Sequence, residues 1–234
     1  MPHTGHRQRM RSRFRQDAGG LCDHELLELI LYSTLPRVNT NEVAHALLHR
    51  FGSLRGVLSA EEGELRRIPG IGENAAVFLR AVSELFARCE REICLTSDLL
   101  TSPGRLGRYL QSLFFGVSEE RSRMLLFDGA RRLISCESLE GGVPLESAIS
   151  VRRIVQRVLD CGAAYVILAH NHPEGIVFVS DADRKATGVV KDCLQNIGVT
   201  LLDHMIVTPE RCIPILHPEK SGEQIGRASC RERV

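Results

Sequence analysis

Apolar positions along the chain fall into two regimes. From residue 23 to about residue 91 they recur every three or four residues, the spacing of amphipathic helices. Leu26, Leu27, Leu29, Ile30 and Leu31 form one band, with Asp23 placed to cap it and Pro36 closing the region. Val43, Ala44, Ala46, Leu47 and Leu48 form a second, capped by Thr40 and ended at Phe51-Gly52. Ser59 and Glu62 have capping-box spacing for a third helix through Leu65. A long helix is expected from residue 73 to about residue 91. Pro103 then opens a helix carrying Leu106, Tyr109, Leu110 and Leu113.

Past Glu120 the period shortens. Residues 124–127 read as a short buried strand, residues 128–129 as a turn, and residues 132–136 as the hairpin partner. Ile154, Val155, Val158 and Leu159 mark a helix. Residues 165–169 are apolar throughout, bounded by Gly162 and His170, and so read as a central strand. A helix from Ser180 to about Asn196, stopped near Gly198, precedes a strand over 199–207. The fold class is therefore an all-α region followed by a mixed-sheet α/β or α+β domain. The expected organisation is a basic arm at 1–19, a helical domain at 20–92, a linker at 93–102 and a second domain at 103–220.

Composition narrows the setting. A chain of 234 residues with 43% apolar content has room for one or two cored domains. No apolar stretch is long enough to span a bilayer, and no apolar segment follows the Arg-rich start as a signal peptide requires. The eight cysteines are scattered without a Cys-x-x-Cys pair, which argues against a disulfide framework and against a thiolate zinc site. Together these read as a cytoplasmic protein with reduced thiols and no membrane partner. The net charge of +1 supplies no global field. Arg7, Arg9, Arg11, Arg13 and Arg15, however, precede the first acid, Asp17; such an arm either touches nucleic acid or is a solvated tail. Ile225-Gly226-Arg227-Ala228 is what a stretch of a widely used sequencing adapter encodes, so residues 225–234 read as non-native and are set aside.

One constellation carries chemistry. His170 and His172 end the apolar strand, and side chains two apart on a strand point the same way. Pro173 breaks the strand and Gly175 allows a turn. Ser180 and Asp183 open the next helix, three apart and on one face. If that helix end returns to the strand end, His170, His172 and Asp183 make a three-ligand set for Zn²⁺ with one position open, as a catalytic zinc needs. Two histidines at a strand end are otherwise surface residues, and Ser180 with Asp183 is otherwise an ordinary helix cap. His3, His6 and His217 are assigned to the surface. Asp203 and His204 are either groups that orient a ligand or polar residues capping a strand end.

The order H-x-H-x₇-S-x-x-D resembles the JAMM (MPN⁺) metalloprotease motif. Together with His170-Asn171-His172-Pro173-x-Gly175, residues 203–207 (Asp-His-Met-Ile-Val), 24–28 (His-Glu-Leu-Leu-Glu), 51–54 (Phe-Gly-Ser-Leu) and 68–72 (Ile-Pro-Gly-Ile-Gly), it resembles the RadC branch of that superfamily over roughly residues 15–210. The resemblance implies a JAMM-like, cytidine-deaminase-like zinc domain behind a helix–hairpin–helix module in a bacterial protein, a family long labelled as DNA repair proteins. It also implies an upstream Glu as general base, acting on the metal's water. Glu119, Glu120, Glu137, Glu140 and Glu146 are on offer; Glu120 is the choice and Glu137 the second. Ser180 is expected to stabilise the developing oxyanion. The chain departs from the pattern at Glu174, where Ser is usual, at Val151-Arg152-Arg153, where Pro-Arg-Glu is usual, and after Val207, where the usual ending is lacking. Gly70, Ile71 and Gly72 resemble the hairpin whose backbone N–H groups contact DNA phosphates; the alternative is a glycine turn between packed helices. Three functions follow: a zinc hydrolase of peptide or isopeptide bonds, a DNA-associated protein with a structural or vestigial metal site, and a metal-dependent nuclease.

Overall fold

The computed structural model describes residues 3–96, 98–139 and 148–218, so Glu140, Glu146 and the 225–234 tail lie outside the described residues. The chain divides into two compact units between Phe86 and Ala87, within one continuous helix.

The first unit is all-helical: α1 (His3–Gln16), α2 (Asp23–Leu31), α3 (Thr40–Phe51), α4 (Leu54–Ser59), α5 (Glu62–Leu65) and the first part of α6 (Glu73–Leu95). Its core joins Leu27, Leu31, Val43, Leu47, Val57, Leu65, Ile71 and Leu79. The helix starts fall one residue before two of the expected caps, at Cys22 and Asn39, and Ser53 rather than Ser59 caps a short helix of its own by accepting from the Gly56 N–H.

The expected arm at 1–19 differs where the structure describes it: residues 3–16 form α1, because Met10 is buried and polar contacts fasten the helix. Arg7 donates to the carbonyls of Leu35 and Val38, Arg13 pairs with Glu25, and His6 meets Glu28 at 3.0 Å. His6 is thus an anchor rather than a free surface residue. Glu28 is a buried carboxylate that also accepts from Tyr32, Thr40 and Asn41. At the predicted hairpin, Ile71 is buried and Gly70 adopts φ +93°, where an added Cβ would lie 3.0 Å from Val43 Cγ2. The glycine therefore serves close packing between helices.

The second unit is a three-layer sandwich. Strands β1 (Ser122–Phe127), β2 (Leu133–Ser138), β3 (Tyr165–Asn171), β4 (Thr200–Val207) and β5 (Cys212–Pro214) form a sheet of order β2-β1-β3-β4-β5. Only β3 and β4 run parallel, joined by α9 (Asp181–Asn196). Alternation along the strands explains the layers. Met124, Leu126, Val166 and Leu168 face α8 (Ala148–Cys161) and α9, whereas Leu125, Phe127, Ile167 and Ala169 face α7 (Pro103–Leu113). The expected linker at 93–102 belongs to this second core. α6 runs on to Leu95, and Cys94 and Leu99 are buried with Tyr109 and Leu110 because their apolar sides have α7 to pack on. The short β5, which the sequence pattern does not announce, extends the sheet past Val207. No helix of the described residues is long and apolar enough to cross a membrane.

Candidate metal centre

The alternation that buries Val166 and Leu168 against α9 continues one step further and aims His170 at the same helix. α9 answers with its own stripe: Asp183, Thr187, Val190 and Leu194, of which the last three are buried. The helix thus meets the sheet through apolar residues along most of its length and through polar ones at its start, where β3 ends. Ser180 caps this start. Its Oγ accepts from the Asp183 N–H at 3.0 Å and donates to Asp183 Oδ2 at 2.6 Å, while the Ser180 N–H reaches the same oxygen at 3.0 Å. Asp183 Oδ1 is left facing the histidines.

His170, His172 and Asp183 each place a ligand atom within 4.8 Å of the other two, the one such group among the described residues. His170 Nε2 lies 3.1 Å from His172 Nε2 and 3.5 Å from Asp183 Oδ1. Two nitrogens about 2.0–2.1 Å from a tetrahedral zinc would lie roughly 3.3 Å apart, so the spacing fits that ion.

The hydrogen bonds behind the ligands fix which atoms carry protons. The Thr187 hydroxyl donates to the Asp183 carbonyl at 2.6 Å, since a carbonyl only accepts. Thr187 Oγ1 must then accept from His204 Nδ1, 2.7 Å away. A neutral His204 is left with a bare Nε2, which accepts from His170 Nδ1 at 2.9 Å. His170 Nε2 is therefore unprotonated. His172 Nδ1 donates to the Ile176 carbonyl at 2.9 Å, leaving its Nε2 unprotonated as well. Two lone pairs and a carboxylate oxygen converge with no proton between them, an arrangement that repels itself unless a cation sits inside.

Electrostatics agree with neutral imidazoles. Burial pushes His170 down to about 4, against the pull of Asp183, with His172 adding to the fall. Burial likewise takes His204 down to about 3. Burial works against the Asp183 carboxylate, but hydrogen bonds from Ser180, joined at low pH by the pull of a protonated His170, outweigh it and hold its pKa below the usual carboxylate value.

The upstream acids are placed unequally. Asn171, between the two histidines, clamps the chain entering β1: its Oδ1 accepts from the Arg121 N–H at 2.7 Å and its Nδ2 donates to the Glu119 carbonyl at 3.0 Å. Ser122 pairs with His170 across the antiparallel ladder. The ladder stops at that pair; Glu120 is exposed two residues before β1 begins, and His172 lies just past the end of β3. Glu119 is paired with Arg121 at 2.7 Å. Glu137, on β2, is held by both nitrogens of the Arg157 fork and by Ser135, and these bonds, Arg157 foremost, lower its pKa. Asp203 turns away from the ligands. Its Oδ1 accepts the backbone N–H groups of His204, Ile215 and Leu216, and burial raises its pKa. Glu174 is exposed in the loop after His172. Thr187 is the functional residue that sequence pattern does not reveal; a threonine in mid-helix carries no local signal until β4 is seen to bring His204 beside it.

A mixed sheet between helical layers, with a two-histidine, one-aspartate cluster at the end of a central strand, defines the class of JAB-type domains. Residues 100–219 match the family model for the RadC-like JAB domain. Two curated relatives, UPF0758 protein Shewana3_3770 of Shewanella sp. strain ANA-3 and UPF0758 protein Shewmr7_0359 of strain MR-7, are each 37% identical over 190 residues, covering 81% of this chain and 84% of theirs. The chain belongs to the RadC family.

Proposed function

We propose that this chain is a zinc-dependent hydrolase of peptide or isopeptide bonds. The observation that carries the reading is the convergence of three unprotonated ligand atoms, His170 Nε2, His172 Nε2 and Asp183 Oδ1, with the tautomer of His170 set by the buried His204–Thr187 pair and that of His172 by the Ile176 carbonyl. Zinc held by His170, His172 and Asp183 would supply an acidified water and polarise a carbonyl. Glu120 accepts the proton of the attacking water and passes it to the leaving nitrogen, a role favoured by its exposure just ahead of β1, whose first residue pairs with His170. Ser180 steadies Asp183 at rest and turns its O–H towards the developing oxyanion, while its backbone N–H keeps hold of Asp183 Oδ2. Ile176 and Phe178 expose apolar side chains in the loop between His172 and Ser180, which suits a peptide substrate. A structural zinc is closed by four protein ligands, and phosphodiester hydrolysis often uses two metals; among the described residues three ligands form one cluster, which favours the hydrolase over the other two readings.

The test joins metal analysis to turnover of pooled fluorogenic peptides and Lys-ε-linked isopeptides. The purified chain should hold one zinc, and His172→Ala should lose it. Glu120→Gln should keep the zinc while turnover falls about 100-fold or more. Full zinc occupancy in His172→Ala would overturn the assignment of the ligands.

A further inference from the structure

Helix α1 contains no acidic residue. Its arginines fall into two sets. Arg7 and Arg13 face the protein, where carbonyl oxygens and Glu25 engage them. Arg9, Arg11 and Arg15 are exposed, and among the described residues no carboxylate pairs with any of them; Arg11 lies 5.9 Å from the centre of the Tyr32 ring, and Arg9, two residues back, is on the other side of the helix from Arg11 and Arg15. Arg7, Gln8, Arg11, Ser12 and Arg15 line a groove of about 380 Å³ along one side of the helix. Steps of four residues space its arginines by roughly 6 Å along the axis. The anchors on the opposite side, buried Met10 and the His6–Glu28 contact, hold this row in place before any ligand arrives.

We propose that this face of α1 is a binding site for the phosphodiester backbone of a nucleic acid. Guanidinium groups strung in a row match a ligand whose anionic groups repeat along a line, whereas a single phosphate needs donors that converge on a point. A membrane-surface helix needs a free apolar face, and here Met10 is already buried against the protein. The predicted hairpin is less suited. Arg50, Arg66 and Arg67 near it are already paired with Glu62 and Glu64. Contacts of this kind read the backbone and not the bases, so binding is independent of sequence and sensitive to salt. The site is independent of the metal centre and of the hydrolase reading.

The experiment measures anisotropy of fluorescein-labelled 20-mer DNA, single-stranded and duplex, with the full chain over a series of salt concentrations. The double variant R11A/R15A should bind several-fold to tenfold more weakly at low salt. Its slope of log K against log salt should flatten by about 1.4 to 1.8, near 0.7 to 0.9 for each phosphate no longer neutralised. R11K/R15K should retain most of the affinity, and R152A/K191A, which removes equal charge from the second unit, should match the parent. Chelator treatment should leave binding unchanged. The proposal is overturned if the parent binds neither probe at low salt, if the alanine variant keeps the parental slope, if the second-unit variant loses as much, or if the row binds phosphatidylglycerol vesicles but not DNA.

Discussion

His204 is not one of the three ligands, yet it has no solvent exposure and joins His170 directly to Thr187, which in turn holds the Asp183 carbonyl. Its Nε2 tells His170 which nitrogen to protonate, and Thr187 tells His204 the same, starting from the carbonyl of Asp183. Removing such a support leaves the ligand free to rotate or to take the wrong tautomer, at a usual cost of about 10- to 100-fold in metal affinity. His204→Ala should show that loss in a competition titration against a chromophoric chelator, and Thr187→Val should show a smaller one. Parental zinc affinity in both would mean that packing alone holds His170. At this scale the sequence is legible where chemistry is local. Two histidines two apart on a strand declare themselves. Thr187 does not, because its partner arrives from a strand seventeen residues on.

At the scale of elements, α9 carries a gradient. Its sheet-facing stripe runs from Asp183 through Thr187 to Val190 and Leu194, and the strands match it with His170, His204, Leu168 and Val166. Polar meets polar at the open end and apolar meets apolar below, so the helix has one register in which both layers are satisfied. Ser180 begins that register. Ser180→Ala should cost about 1 kcal/mol, as the loss of a helix cap does, and lower Tm by roughly 2–4 °C in a thermal melt. It should also weaken zinc binding, because Oδ2 of Asp183 loses one of its two donors. Fully apolar runs give β1 and β3 away, and the three-to-four-residue apolar spacing gives away α2, α3 and α6, although of the expected side-chain caps only Ser180 holds the place expected of it. α1 stays hidden because local pattern shows only its charge. What makes it a folded helix is Leu35, Val38, Glu25 and Glu28, all outside it in the chain. The stretch 93–102 passes for a linker for a similar reason, since Cys94 and Leu99 show their purpose only once α7 packs on them.

For the whole molecule, buried neutral histidines tie stability to pH. His170 and His204 stay uncharged in the fold down to about 4 and about 3, whereas in the unfolded chain each takes up a proton below about 6.5. Their contribution is therefore fully present above about 6.5 and is lost as pH falls from there through about 4. Chelator-treated protein should show Tm dropping across that window, and His204→Phe should flatten the fall. A Tm indifferent to pH between 7 and 4.5 would show that these rings are not held neutral.

The contact that sets the tautomer of His172 is made by the main-chain carbonyl of Ile176, not by its side chain. Any residue other than one that moves the backbone can supply that oxygen. Apart from Gly175, whose φ of +76° suits glycine, the exposed side chains of the loop can thus be rewritten while that carbonyl stays on His172. Exchanging the exposed Ile176 and Phe178 for polar residues should therefore change what the loop presents outward and leave the three candidate ligand atoms where they are, because the two are inherited separately.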